Sequence, residues 1–530
     1  MKKIEIFDST LRDGAQGEGI SYSTPNKLQI IDTLDRFGVD FIEAGNPASN
    51  PKDEGLFKSL LTNPPKYAKI VAFGSTRKKG VSCEDDQGLR ALIEAGTEYV
   101  SVFGKASLFH VTEILSAKPR ENLDMIDETV SFLVSKGKKV FFDAEHFFDG
   151  YKEDPEYALR TLLTAVSAGA SRIVLCDTNG GTFPDEIYKI TETVCRKFAD
   201  CGVKIGIHCH NDSGCANGNT FAAVFAGATH IQGTFNGYGE RCGNANLSAI
   251  IPALQLKRGY ECVPAEKMVN LTGTARHIAE ITNVKLRSDM PFVGNSAFSH
   301  KGGMHADGVR KNPASYEQID PAAVGNERNI LLSEMAGRSA LISRLERLLP
   351  DRSFDKDDPI LSEISDILKT KEAAGYVYEA AEASFELMVR EKLGLAKDYF
   401  DIVYFKIIGE NVGGNPSTAI VKIKVGDEEK LSAAEGNGPV NALDKALRHA
   451  LKAFYPVLSE VKLSDYKVRV VNSNCATAAD VRVLIESTDG VNIWTTVGAS
   501  ADVINASLIA LYDSLVYKLG MNMNRGKPND

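Results

Sequence analysis

The sequence predicts an α/β protein: a (β/α)8 TIM barrel, then helical linker subdomains, then a C-terminal α+β domain with an internal repeat. Three observations carry this expectation. Up to about residue 260, eight short β-rich apolar runs alternate with longer stretches of helical period. Polar residues recur at the C-terminal ends of many of those runs. No glycine-rich dinucleotide fingerprint follows the first run, which counts against a doubly wound open sheet, the competing fold with the same alternation.

The expected strands are 3–8, 39–45, 69–74, 98–104, 138–145, 171–177, 203–209 and 229–235. Between them lie helical stretches such as 26–37, 121–136 and 184–199. The last opens on Pro184 with Asp185 and Glu186, as helix starts often do. In a barrel, Arg12 and Asp13, Glu43, Glu145, Asp177 and Thr178, His208 and His210, and the segment Asn236 to Asn244 would all ring one mouth.

Residues 261–395 are mainly helical in pattern, broken by the loop Ser299 to Gly308, whose glycines and histidines a buried helix does not need. Region 396–520 repeats itself. Strands 402–408 and 418–425 precede Gly436, Asn441-Ala442 and Ala446-Leu447; strands 467–472 and 480–486 precede Gly498, Asn505-Ala506 and Ala510-Leu511. Two such units bury together what neither buries alone. The region lacks a cluster of acid, base and nucleophile, which favours ligand sensing or assembly over a second active site. Residues 521–530 read as a polar tail.

With 530 residues, 43% hydrophobic and 25% charged, the chain has the composition of an ordinary globular enzyme. A net charge of −9, without a Lys/Arg block, argues against nucleic acid as a partner. Charges in Met1 to Asp8 interrupt any signal-peptide core, and no apolar run is long enough to span a bilayer, so neither membrane nor export is expected. Nine cysteines without a CxxC pair fit a reducing, cytoplasmic compartment better than a disulfide framework.

His208-Cys209-His210-Asn211-Asp212 closes the seventh run. Alternation along a strand points His208 and His210 the same way, and Asp13 at the end of the first run can add a carboxylate. Two imidazoles and a carboxylate hold a divalent ion on one side and leave the other open for substrate oxygens. Two histidines can also merely end a strand against backbone; the combination with Asp13 and Asn211-Asp212 favours the ion. Arg12 has a plain alternative in an ion pair with Glu43 across the mouth, which would also fix its guanidinium. Arg77-Lys78-Lys79, a short basic run on the mouth side, is either a contact for phosphates or a solvated turn.

Four motifs, STLRDGAQGEG (9–19), HCHND (208–212), GERCGNANL (239–247) and HKGGMHADG (300–308), resemble the 2-isopropylmalate synthase, homocitrate synthase and citramalate synthase family over nearly the whole chain. DGAQGEG and LCDTNGG (175–181) look most like the citramalate branch. The resemblance implies a Claisen condensation of acetyl-CoA with a 2-oxo acid and thioester hydrolysis, with pyruvate as acceptor in that branch and 2-oxoisovalerate or 2-oxoglutarate in the others. It makes Asp13, His208 and His210 ligands of Mg, Mn or Zn, with Asn244 a further ligand or supporting donor. It gives Arg12 the developing oxygen charge and Thr178 the substrate carboxylate. Glu145 takes acid-base chemistry and acetyl-CoA placement, while His305, with Asp307 and Tyr316, takes proton handling and activation of water. Which of Glu145 and His305 removes the methyl proton stays open. Glu43 is placed at the substrate through Arg12, and Phe103 can narrow the acceptor pocket. Phe147-Phe148-Asp149-Gly150 departs from the isopropylmalate branch. The resemblance further implies isoleucine as effector of the C-terminal domain and a homodimer whose linker reaches the partner's barrel. Two other classes remain in view: a metal-dependent carbon-carbon lyase and a non-catalytic amino-acid sensor.

Overall fold

The computed structural model describes residues 2–49, 51–300, 303–330, 338–349, 352–355, 357–378, 381–409, 417–471, 480–490 and 492–524. The chain forms two compact units, residues 1–299 with 317–329, and 300–316 with 330–530.

The first unit is a closed barrel of eight parallel strands in sequence order: β1 (Glu5–Asp8), β2 (Phe41–Gly45), β3 (Lys69–Ser75), β4 (Tyr99–Lys105), β5 (Lys139–Glu145), β6 (Arg172–Asp177), β7 (Lys204–Cys209) and β8 (His230–Gly233). Each lies within about two residues of its expected position. The strands read as near-continuous apolar runs because parallel strands are covered on both faces, and every residue of β6 is buried. Helix α1 (Thr24–Phe37) starts on a capping box between Ser23 and Asn26, with Pro25 in its first turn, and stops at Gly38 in the left-handed conformation. Between the strands follow α2 (Pro51–Thr62), α3 (Gln87–Glu94), α4 (Pro119–Ser135), α5 (Phe147–Glu153), α6 (Pro155–Ser167), α7 (Pro184–Lys197) and α8 (Ala216–Ala226), and α9 (Leu247–Arg258) and α10 (Leu271–Thr282) complete the ring.

The N-terminal end of the barrel is plugged rather than open. Phe7, Phe41 and Phe141 meet with ring centroids 5.2 to 6.3 Å apart, and Tyr99 packs on them. Beside them Glu5 accepts two hydrogen bonds from Arg172 (2.7 and 2.8 Å) and one from Lys204 (2.5 Å), and lies 3.3 Å from Nδ1 of His230. One carboxylate thus joins β1, β6, β7 and β8 at the end opposite the C-terminal mouth, the face on which such barrels place their functional residues.

The second unit carries α11 (Gly303–Lys311), α12 (Arg338–Leu348), α13 (Pro359–Ala373) and α14 (Glu382–Lys392), then two antiparallel three-stranded sheets, each followed by a helix. The first copy is β9 (Asp401–Gly409), β10 (Ser417–Val425), β11 (Glu428–Gly436) and α15 (Pro439–Leu451). The second is β12 (Lys462–Val470), β13 (Val481–Thr488), β14 (Ile493–Ser500) and α16 (Val503–Asn524). The internal repeat is present, but with three strands per copy where the sequence suggests two. β11 is an edge strand rich in Glu, Lys, Ser and Ala, and β14 carries Thr495, Thr496 and Gly498 along its length, so neither shows the Val/Ile alternation that marks β10 and β13. Strand β12 begins five residues before its expected start at 467, whose expected end at 472 lies outside the described residues. Gly436 and Gly498 hold equivalent places. A Cβ on Gly436 would stand 2.4 Å from the backbone nitrogen of Ala442, and one on Gly498 2.0 Å from the carbonyl oxygen of Ala506. Among the described residues no helix is long and apolar enough to cross a membrane.

Candidate active site

Asp13 follows the turn that leaves β1. Buried Asp8 shapes that turn by accepting from the backbone N–H and hydroxyl of Thr10 and from the N–H of Phe235, and Ser9 Oγ accepts from the Asp13 N–H at 3.2 Å. His208 lies on β7, and His210 lies just past it, bridged to Asn244 of the loop after β8. The Nε2 atoms of His208 and His210 stand 3.2 and 3.7 Å from Asp13 Oδ2. One ligand atom from each of the three buried residues lies within 4.8 Å of the other two.

Burial works to raise the pKa of Asp13, but the Arg12 guanidinium and His208 outweigh it and hold the carboxyl well below the usual range. Burial and the neighbouring His208 push His210 down to about 4, leaving it a neutral imidazole. For His208, burial lowers the pKa while the hydrogen bond and charge of Asp13 raise it, and Asp13 wins. The pocket is therefore built to hold positive charge against Asp13. Oδ1 of Asp13, Nδ1 of His210 and Oδ1 of Asn244 are buried without a hydrogen-bond partner among the described residues. A carboxylate, two imidazoles and an amide oxygen fit a divalent ion.

Arg12 donates from Nε to Glu43 Oε2 (2.7 Å), lies 3.4 Å from Asp13 Oδ2 through Nη1, and rests its guanidinium 3.9 Å above the ring of Phe73. Glu43 is fully buried and also accepts from Ser9 Oγ. The expected ion pair between Arg12 and Glu43 is thus present, and it fixes the guanidinium. Phe73 stacks on Phe103 at 5.5 Å and 19°. A cavity of about 250 Å³ is lined by Arg12, Asp13, Phe103, Glu145, Thr178, His208 and His210 among the expected residues. A second, of about 570 Å³, shares Arg12, Gln16 and Phe73 with it and extends to Asn46 and the buried Lys27–Asp53 ion pair.

Glu145, at the end of β5, is ion-paired with Lys105, at the end of β4. Thr178 accepts from the backbone N–H of His146, which itself sits in the left-handed region at φ 57°. Asp177 turns away from the cavity to hold its own loop, accepting from Thr182 Oγ1 (2.9 Å) and Asn219 Nδ2 (3.3 Å). Asn236 likewise donates to the carbonyl of Ala275. The basic run is engaged structurally: Arg77 pairs with Glu128, and Lys79 donates to the carbonyl of Ser116. His305, Asp307 and Tyr316 belong to the second unit. There the exposed His305 ring stacks on Tyr316 at 4.1 Å, and Asp307 pairs with Lys311 at 2.6 Å.

Sequence reasoning assigned no individual role to Gln16, Phe73, Lys105, Asp143, Gln232, Glu240 or Arg241, although Gln16, Glu240 and Arg241 lie within its motifs. Arg241 donates to both oxygens of Asp212 and to the carbonyl of Thr178, tying the loops after β6, β7 and β8 together. Lys105 carried a usable signal, since it sits two residues beyond Phe103 and so shares its face of β4. Gln232 carried one too, as an amide within a fully buried strand.

The HMGL-like family matches residues 3–281, the homocitrate synthase post-HMGL domain-like family residues 292–371, and the LeuA allosteric (dimerisation) domain residues 379–519. The chain is 49% identical to an (R)-citramalate synthase of Aquifex aeolicus over 528 residues, covering 99% of each. It is 48% identical to an (R)-citramalate synthase of Synechocystis sp., covering 97% of this chain and 96% of that one. The chain belongs to the citramalate and 2-isopropylmalate synthase family. Within that family it is 32% identical to a 2-isopropylmalate synthase of Pyrococcus furiosus, covering 97% of this chain and 99% of that one. The likeness at 48–49% falls on the branch that the wording of DGAQGEG and LCDTNGG implies.

Proposed function

We propose that this chain is an acyltransferase that condenses acetyl-CoA with pyruvate and hydrolyses the thioester, giving citramalate (2-methylmalate) and CoA for isoleucine biosynthesis. The observation that carries the reading is the buried Asp13–His208–His210 cluster beside Arg12, in a chain alike from end to end to (R)-citramalate synthases. Asp13, His208 and His210, with Asn244, would hold Mg, Mn or Zn. When bound, such an ion supplies Lewis-acid chelation of the acceptor's ketone and carboxylate oxygens.

The condensation forms a bond from the acetyl methyl carbon to the ketone carbon of pyruvate after a base takes a methyl proton, and the resulting alkoxide takes up a proton; hydrolysis then forms the acyl C–O bond from water as the C–S bond breaks. During the condensation negative charge gathers on the former ketone oxygen. Arg12 meets it with donors fixed in advance by Glu43 and Phe73, so little reorganisation is needed as the charge develops. Thr178 holds the acceptor carboxylate. Glu145, placed by Lys105, and His305, with Asp307 and Tyr316, are the two groups for the methyl proton and for the water that cleaves the C–S bond and releases CoA as its thiol. Phe103, backed by Phe73, narrows the wall facing the acceptor's side chain, and each methylene excluded there is worth about 1–3 kcal/mol. The adjoining larger cavity gives the acyl-CoA arm a path past Gln16. The C-terminal repeat takes isoleucine as effector, and the protein works as a homodimer in the cytoplasm.

The test is release of CoA thiol by the purified protein with acetyl-CoA and a panel of 2-oxo acids, before and after metal removal. Pyruvate is expected as the preferred acceptor, with turnover lost on chelation and restored by added ion. Preference for 2-oxoisovalerate or 2-oxoglutarate overturns the acceptor assignment.

A further inference from the structure

A hydrogen-bonded chain runs through the barrel interior from β4 to the ligand cluster. Ser101 Oγ donates to Asp143 Oδ2 at 2.7 Å, and Gln232 Nε2 donates to Asp143 Oδ1 at 3.0 Å. Oε1 of Gln232 then stands 3.1 Å from Nδ1 of His208, whose other nitrogen faces Asp13. Gln232 is 1% exposed, so solvent does not substitute for either partner. An amide and its flipped form occupy the same space, and only the partners decide which way it points. Here Asp143 decides. A carboxylate accepts, so the amide NH₂ must face it, and the amide oxygen must face His208.

We propose that Gln232 is a positioning residue that orients the ring of His208: its oxygen accepts from Nδ1–H, so that Nε2, the nitrogen facing Asp13, is the one that would take the ion. Asp143 acts one step further back, as the lock on the orientation of Gln232. The inference rests on reading Asp13, His208 and His210 as ion ligands. Residues that orient a ligand histidine through its second nitrogen typically change metal affinity about 10–100-fold when replaced.

The experiment is calorimetric titration of Mn²⁺ into the full-length, metal-stripped protein, with selective ¹⁵N-histidine spectra reporting the hydrogen bond at Nδ1–H of His208. Gln232→Leu is expected to weaken Mn²⁺ binding about 10–100-fold and to move the Nδ1–H signal of His208 upfield as it loses its acceptor. The double substitution Asp143→Asn with Gln232→Glu exchanges the polarity of the pair while keeping an acceptor on His208 Nδ1, and it should restore wild-type affinity. Should Gln232→Leu fail to fold, the folded double variant carries the test alone, and loss of Mn²⁺ binding in it overturns the inference. So does wild-type affinity in Gln232→Leu, since a packing role would lower the melting temperature and leave the ion untouched. If the wild-type protein binds no Mn²⁺, or His210→Ala binds it as well as wild type, the ligand reading itself fails instead.

Discussion

Arg12 is held from three directions, by Glu43, by Asp13 and by the face of Phe73. Burial opposes its charge, but Glu43 and Asp13 outweigh that, so it stays protonated. A lysine keeps the charge and loses the planar fork and the stacking. Arg12→Lys should therefore reduce kcat about 100-fold or more with little change in melting temperature, as removal of a preorganised donor does. Steady-state kinetics beside a thermal melt checks this. Phe103→Ala should raise kcat/KM for 2-oxoisovalerate relative to pyruvate about tenfold or more, as expected where a wall of the pocket recedes by several methylenes; a competition assay with both acceptors measures the ratio. At this scale the ion ligands were the most legible residues, because strand alternation alone brings His208 and His210 to one side. The ion pairs of Lys105 and Arg241 were hidden for the opposite reason. Their partners, Glu145 and Asp212, come from other strands and loops, and spacing along the chain says nothing of a meeting between them.

Among the elements, the barrel strands were legible because burial on both faces leaves a continuous apolar run, while β11 and β14 were not. An edge strand with one exposed face, such as Glu428 to Gly436, needs neither Val nor Ile to pair with its neighbour. The repeat itself showed through Gly436 and Gly498, whose missing side chains let α15 and α16 close onto their sheets. A methyl group on Gly498 meets backbone of Ala506 and Ala510 that cannot turn aside. Gly498→Ala should therefore destabilise the C-terminal unit by about 1–3 kcal/mol, the usual cost of overpacking. Its urea midpoint should fall while acetyl-CoA turnover without effector stays close to wild type.

For the molecule as a whole, barrel closure is pinned at the end away from the chemistry by Glu5. Burial raises the pKa of this carboxyl, but His230, Arg172 and Lys204 together bring it well below the carboxylate range. Its unfolded value is about 4.3, so its contribution is fully present above that pH and is lost as the pH falls below it. Glu5→Gln should lower the melting temperature at pH 7, because Arg172 and Lys204 lose their buried counter-charge, and the deficit relative to wild type should shrink between about pH 4.3 and pH 3. Thermal melts across that range measure it. The eightfold alternation made the closed barrel legible, and the three motifs at 9–19, 208–212 and 239–247 made its mouth legible. The interior chain behind His208 was not, since its polar members come from three strands far apart in sequence. The most direct measurement of the central claim is anomalous diffraction at the manganese edge from crystals soaked in Mn²⁺ and pyruvate. The predicted result is one peak within coordination distance of Asp13, His208 and His210, with pyruvate oxygens completing its open side next to Arg12; density for pyruvate away from these residues, or no peak among them, would contradict it.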